Sequence, residues 1–388
     1  MKAFLLALLC LSVHTVVCRL SITGDHFYEG STRVFLSGVN AAWVYLGTDF
    51  GNNQLDNYRL SKYTDYIKQI HSNGGNSIRI FVHDNCETTP NIDSNGITQG
   101  PDKDGTLISD LKKVLDVAQA NNVLVFFALF NGAQKKPDHW KLQGIITDDT
   151  KRQKYIEKAL QPMVKALGNH IALGGWDIIN ELEGIIKIED HGGDSCFDTS
   201  FLKNSGAGFA GATYSAQDLQ RFLNHVADGI KQADSSALIT SGSWNPISNT
   251  DKFGSHNLYK DSCLRKAGGK QQGVLSFYST HTYAKADQCQ CHYDKISPFY
   301  GAGHHMSDYG LDKPLVIAEF SEKKGDGWTT SKQFNHAYYN GYAGAWGWQY
   351  KQEATDNDED TAAVINAGLN YIKGKTDASN GGTVNFQL

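Results

Sequence analysis

Two glutamates stand where charge is costly. Glu181 closes the run Trp176-Asp177-Ile178-Ile179-Asn180-Glu181, and Glu319 lies near the end of Pro314-Leu315-Val316-Ile317-Ala318-Glu319-Phe320. Each follows an apolar stretch of strand character, and a carboxylate kept there without a partner is expensive. If the fold brings the two face to face, they are equipped for glycoside hydrolysis. One would protonate the leaving oxygen, and the other would attack the anomeric carbon or activate water. Their surroundings must differ, so that one stays protonated near neutral pH. A single such glutamate reads as a solvated loop residue or an ion-pair partner. Two of them, one preceded by Asn180, with Arg79 and His281-x-Tyr283 at the ends of other apolar runs, weaken that plain reading.

The neighbouring residues suit the same chemistry. An Arg79 placed beside one of the two carboxylates would keep it ionised, as a nucleophile must be. Tyr283 could steady Glu319 through its hydroxyl, and Asn180 could donate to the sugar 2-hydroxyl. His281 would shape the proton balance of the pair, with a satisfied core histidine as the rival reading. His83 divides evenly between structural and substrate roles. Trp348, or Trp346 on the same face of one strand, would form a floor for a pyranose ring. Trp244 and Trp43 could extend it. Gly242-Ser243 lacks the full nucleophile-elbow pattern, and Ser205 lies in a loop without strand–turn–helix context. Cys289, Cys291 and His292 fit no common zinc spacing, so neither a metal nor an organic cofactor is expected.

These residues need positioning elements. Strand-like runs cover Val34–Val39, Ser77–Val82, Val123–Phe130, Gly175–Asn180, Ala237–Ser241, Val274–Thr280, Leu315–Phe320 and Ala343–Gln349. Stretches of 3.6-residue spacing separate them at Tyr63–Asn73, Thr106–Ala120, Asp149–Leu167, Ala216–Ala233, Ser297–Tyr309, Ser331–Gly341 and Thr361–Lys373. No Gly-rich dinucleotide fingerprint follows the first strand, and eight strands favour a closed (β/α)8 TIM barrel over an open sheet. A short N-terminal β-hairpin is expected within Leu20–Phe35, and the Gly/Asn-rich tail Thr376–Leu388 reads as a loosely held end. No linker divides the chain, so residues 19–388 are read as one domain. Barrel enzymes build their sites where strands end, which is where the residues above lie.

Composition narrows the partners. The 388 residues carry a net charge of −5, which offers no basic field for a nucleic acid. Lys2 and the apolar run Ala3–Val13, with small residues before Arg19, describe a secretory signal over residues 1–18. No later run reaches the roughly 18 apolar residues of a membrane span. A secreted, extracellular protein without membrane contact and monomeric in solution is expected. Of the cysteines, Cys86, Cys196, Cys263, Cys289 and Cys291 would remain after cleavage. In an oxidising compartment the simplest count is two bridges and one free thiol, with the pairing open. No N-x-[ST] acceptor is present. The acidic run Asp356–Asp360 reads as a solvated helix start.

The ordered set Arg79, Asn180-Glu181, His281-x-Tyr283, Glu319 and Trp348 resembles glycoside hydrolase family 5. The stretches Asn76–His83, Trp176–Glu181 and Lys313–Phe320 resemble the endo-β-1,4-mannanases of molluscs and other invertebrates, over nearly the whole mature chain. The resemblance implies a retaining enzyme with Glu181 as acid/base, Glu319 as nucleophile and Trp348 as sugar platform. It implies β-mannan as substrate, as mannan, glucomannan or galactomannan. The family usually has Pro after Asn-Glu, and Leu182 stands there instead. A β-1,4-glucanase keeps the chemistry and changes one hydroxyl. An inactive polysaccharide-binding barrel would keep the fold, although such proteins commonly lose one glutamate.

Overall fold

Eight runs, several of them rich in Val, Ile, Leu and Phe, form strands that are almost wholly buried, as a parallel sheet covered by helices requires. The computed structural model describes residues 19–287, 290–351 and 360–388. The signal expected over 1–18, Cys289 and most of the Asp356–Asp360 run lie outside the described residues. The strands are β1 (Leu36–Asn40), β2 (Ser77–Asp84), β3 (Leu124–Asn131), β4 (Leu173–Asn180), β5 (Ile239–Ser243), β6 (Tyr278–His281), β7 (Leu315–Glu319) and β8 (Gly344–Trp348). All eight pair in parallel, and β8 closes on β1, so the expected (β/α)8 barrel is present.

The helices follow the sequence spacing closely. Ala216–Ala233 buries Leu219, Phe222, Leu223, Val226 and Ile230 on one stripe. Its cap is Ser215, whose hydroxyl accepts from the Asp218 N–H at 3.1 Å. The stretch Asp149–Leu167 is helical throughout but widens into a π-turn at Ile156–Leu160. Pro162 has no N–H to give to that turn. Three expectations change, one of them the helix His139–Thr147, which the sequence spacing does not mark. Over Ser297–Tyr309 only the 3-10 turn Met306–Tyr309 forms, because Pro298 and the positive-φ Gly301 and Gly303 interrupt any helix. The short helix Asp261–Gly268 fills part of the long connection after β5, and its single apolar patch was too brief to stand out as periodic.

The floor of the barrel is larger than a hairpin. Ser21–Thr23, His26–Glu29 and Thr32–Val34 form a meander, which Gly382–Thr383 and Thr376–Asp377 extend to five strands. The tail is therefore not loose: Val384 and Phe386 are buried, and Phe386 joins Phe27 and Leu36 under the barrel. Asp360 is not a solvated helix start. It is buried and accepts the Glu322 and Lys323 N–H groups at 2.7 and 3.2 Å, while Thr361 caps the last helix. Among the described residues no helix is long and apolar enough to cross a membrane.

Cys196 bonds to Cys263, and Cys86 is free and buried. The bridge ties the loop after β4 to the helix Asp261–Gly268 across 67 positions. Closing a loop of that length restricts the unfolded chain, so Cys196→Ser/Cys263→Ser should lose about 2–4 kcal/mol of stability. Urea unfolding of the oxidised protein and the variant checks this; equal midpoints would contradict it.

Candidate active site

The carboxyl ends of the strands are not regular, and the irregularities decide which side chains meet. Between β4 and β5, Thr240 pairs with Asp177 but Gly242 pairs with Asn180, so β4 carries one extra residue. In a regular strand Asp177 and Asn180 would face opposite ways; the extra residue turns both towards the barrel interior. Between β6 and β7, Thr280 pairs with Ile317 but His281 pairs with Glu319. The extra residue on β7 re-aims Glu319. Between β2 and β3 a similar shift sets Asp84 opposite Phe130.

Arg79 sits at the centre of this geometry and is fully buried. Its Nε and Nη2 reach Asp177 Oδ2 at 2.8 and 2.7 Å. Nη2 also donates to Asn180 Oδ1 at 2.8 Å. Nη1 donates to Asn40 Oδ1 at 3.0 Å and to Glu319 Oε1 at 2.7 Å. Burial opposes the charge, but Asp177 and Glu319 outweigh it, and the guanidinium is held charged. The Tyr283 hydroxyl donates to the other Glu319 oxygen at 3.0 Å. Burial pushes the Glu319 carboxyl above its ordinary 4.5 and Glu181 adds to this, against the pull of His281, Arg79 and Tyr283.

His281 lies between the two glutamates. Its Nδ1 is 2.7 Å from Glu181 Oε1 and 3.3 Å from Glu319 Oε2. Burial is the main reason the imidazole is held down to about 4, so the ring is neutral at ordinary pH. Its Nε2 has no partner among the described residues, and we assign the single ring proton to Nδ1 on this network. One oxygen of Glu181, one of Glu319 and a ring nitrogen lie within 4.8 Å of one another. The same three groups could converge on a cation, but the Arg79 guanidinium already opposes one at Glu319.

Glu181 is held by its backbone. It sits in the left-handed region at φ 46°, ψ 52°, a conformation a residue with a side chain adopts only under constraint. Its N–H donates to the Gly242 carbonyl at 2.6 Å, and its carbonyl accepts from Gly184 at 2.9 Å. A Cβ at Gly132 would come within 2.7 Å of that carbonyl, so a glycine is required there. Glu183 is buried and accepts from Ser248 Oγ at 2.6 Å, from Trp244 N at 3.1 Å and from the Tyr259 hydroxyl. It thereby fastens the loop after β5 to the turn that carries Glu181.

The remaining aromatic candidates separate. Glu181 (9% exposed), Glu319 (3%), Asn180, Tyr283, Trp43 and Trp348 line one open cleft at the barrel mouth. Trp43 and Trp348 meet edge-on with ring centroids 5.6 Å apart. Trp346 is not a sugar floor: it is 0% exposed, packs against Phe126 and donates from Nε1 to Ser77 Oγ. Two residues further up the strand, Trp348 reaches the mouth; Trp346 stays within the barrel. Trp244 is half-buried outside this cleft lining and packs on Phe209. His83 is buried between Phe130 and Tyr155, bonds Thr89 Oγ1 and is held down to about 3 by burial, so its role is structural.

The chain is 45% identical over 370 residues to the mannan endo-1,4-beta-mannosidase of Mytilus edulis, covering 95% of each chain. The chain belongs to this β-mannanase family. It is also 38% identical to the mannan endo-1,4-beta-mannosidase of Cryptopygus antarcticus, over 93% of this chain and 92% of that one. The solved β-1,4-mannanase of the sea hare Aplysia kurodai superposes with a TM-score of 0.88 at 44% identity, covering 95% of this chain and all of that one. No family model matches the sequence.

Asp177, Asn131, Glu183 and Gly242 also shape the site of this β-mannanase-family chain. Asn131 accepts from Asn180 at 3.0 Å and donates to Asp84 at 2.7 Å, which steadies Asn180 from its outer side. Asp177 carried a usable signal, being a charge inside an apolar strand next to Asn180-Glu181. The others carried none. At Gly242 a Cβ would come 2.8 Å from Arg79 Nη2 and 3.0 Å from His281 Nε2. Gly242→Ala should therefore displace Arg79 or His281 and cost about 1–3 kcal/mol by overpacking. Thermal unfolding checks this, and a variant as stable as the parent would contradict it.

Proposed function

We propose that this chain is an endo-β-1,4-mannanase that cleaves internal bonds of mannan, glucomannan and galactomannan with retention of configuration. The observation that carries the reading is the pair of carboxyl oxygens within 4.8 Å of one another at the mouth of the cleft. That separation supports the double-displacement geometry of about 5–5.5 Å between carboxyl groups rather than the wider gap of inverting enzymes. The names of the relatives support mannan as the polymer.

Glu181 donates its proton to the glycosidic oxygen as Glu319 attacks the anomeric carbon. The C–O bond to the leaving sugar breaks and an ester to Glu319 forms. Water then gives a proton to Glu181, attacks the same carbon and returns Glu319 as carboxylate. Arg79 and Tyr283 hold one oxygen of Glu319 each, which fixes its angle of attack. Asn180 faces the sugar 2-hydroxyl, and Trp348 floors the ring. Neutral His281 lets Glu181 cycle between its two forms without a competing full charge. We further propose one catalytic unit over 19–388, a cleaved leader before it and extracellular action as a monomer; the Cys196–Cys263 bridge supports an oxidising compartment.

Product sizing of mannan digests, beside carboxymethylcellulose, tests substrate and endo action together. A preference for the cellulose derivative would turn the reading to a glucanase. Glu181→Gln and Glu319→Gln should each lower kcat by at least about 10²–10⁴-fold with the fold intact, and full activity in either removes the assignment. A chelator should leave the rate unchanged.

Glu319 must be ionised to attack, and burial raises its proton affinity. Activity should therefore fall with decreasing pH through a midpoint above the ordinary 4.5 of a glutamate. The acid limb of kcat/KM gives this midpoint; a limb well below that value would refute the assignment of Glu319. Removing the guanidinium in Arg79→Met should move the limb further up.

A further inference from the structure

The catalytic cleft has a neighbour on the other side of Trp43. A second groove, of about 230 Å³ against about 180 Å³ over the carboxylates, runs between the loop after β1, the helix Asn57–Ser72 and the chain after β8. Trp43 lines both, so the two adjoin at that side chain. The helix contributes Tyr58, Lys62, Tyr66 and Gln69, which share one face at spacings of three and four. From Tyr58 to Gln69 that face is about 16 Å long at about 1.5 Å per residue.

We propose that this groove binds the distal pyranose rings of a β-1,4-linked hexose chain whose scissile bond lies at Glu181 and Glu319. The proposal rests on the hydrolase reading above and adds a place for substrate beyond the cleft.

The chemistry fits a neutral polyol. Tyr45 and Tyr58 are 50% and 52% exposed, with ring centroids 6.4 Å apart. Large aromatic surface left in water beside an active cleft is the feature that needs explaining. Arg59 lies over the Tyr45 ring at 4.7 Å and Lys62 over Tyr58 at 5.4 Å. Each cation steadies its ring from one side and leaves the residue half open. Sugar C–H faces match such rings, and the Lys62, Asp65 and Gln69 side chains offer donors and acceptors to hydroxyls. Lysine and aspartate side chains stand together along the groove, so it selects no single-sign polymer. The shared wall at Trp43 sets this groove beside the cleft, which commits the occupant to the chain already held there.

The test separates the groove from the chemistry. Calorimetry with mannohexaose and mannotriose is carried out on Glu181→Gln, which binds without turning over. Adding Tyr45→Ala/Tyr58→Ala should raise Kd for mannohexaose about five- to tenfold and leave Kd for mannotriose unchanged. Tyr45→Phe/Tyr58→Phe keeps both rings and should restore most of that affinity, which guards against a misfolded alanine variant. Equal changes for both sugars, no change for either, or no binding of mannohexaose would overturn the groove. If the unmodified protein fails to cleave mannan while its hexaose binding still depends on the two tyrosines, the hydrolase reading falls and the groove stands.

Discussion

A guanidinium without exposed surface must be neutralised where it stands, and Arg79 imposes that demand on the whole mouth of the barrel. Its donors reach Asp177 and Asn180 on β4, Asn40 on β1 and Glu319 on β7, three strands besides its own. No neighbour could be removed without leaving a buried charge or amide unmatched. The cost of burying charge is thus what fixes Glu319 in place. It also explains why Asp177 is needed: Glu319 alone would have to neutralise the guanidinium, and in the proposed double displacement it would lose its charge on becoming an ester.

The two glutamates are held in place by different causes. Glu319 is surrounded by the guanidinium, a tyrosine hydroxyl and low-dielectric walls, which oppose one another. Glu181 is set by backbone geometry instead. Its left-handed conformation is held by bonds to Gly242 and Gly184, and Glu183 ties the following turn to the loop after β5. Strain of this kind costs about 1–3 kcal/mol and survives only where the surroundings over-determine it. Here the close glycine contacts at Gly132 and Gly184 do so. His281 couples the two environments through one neutral ring.

The aromatic residues divide by height along the barrel axis. Phe126 and Trp346 fill the interior, whereas Trp348 and Trp43 reach the mouth. A single strand, β8, therefore supplies both core and cleft. From Trp43 outward, aromatic surface continues to Tyr45 and Tyr58. A polymer-degrading enzyme needs such an open-ended path, because most of its substrate lies outside the cleavage site.

The barrel is legible from local pattern alone, because eight apolar runs alternating with amphipathic stretches have few other ways to bury both faces of a parallel sheet. The same pattern also shows which residues lie at strand ends, and the ordered set from Arg79 to Trp348 was sufficient to mark the family. Tertiary structure decided the rest. Alternation places Trp346 and Trp348 on one face, and only depth in the barrel separates core from platform. Alternation also sets Asp177 and Asn180 on opposite faces, and only the extra residue in β4 brings both to Arg79. The tail read as loose from its glycines, yet it closes the barrel floor as the partner of Thr32–Val34. In each case the deciding quantity is a distance between segments far apart in the chain, and local spacing does not encode it.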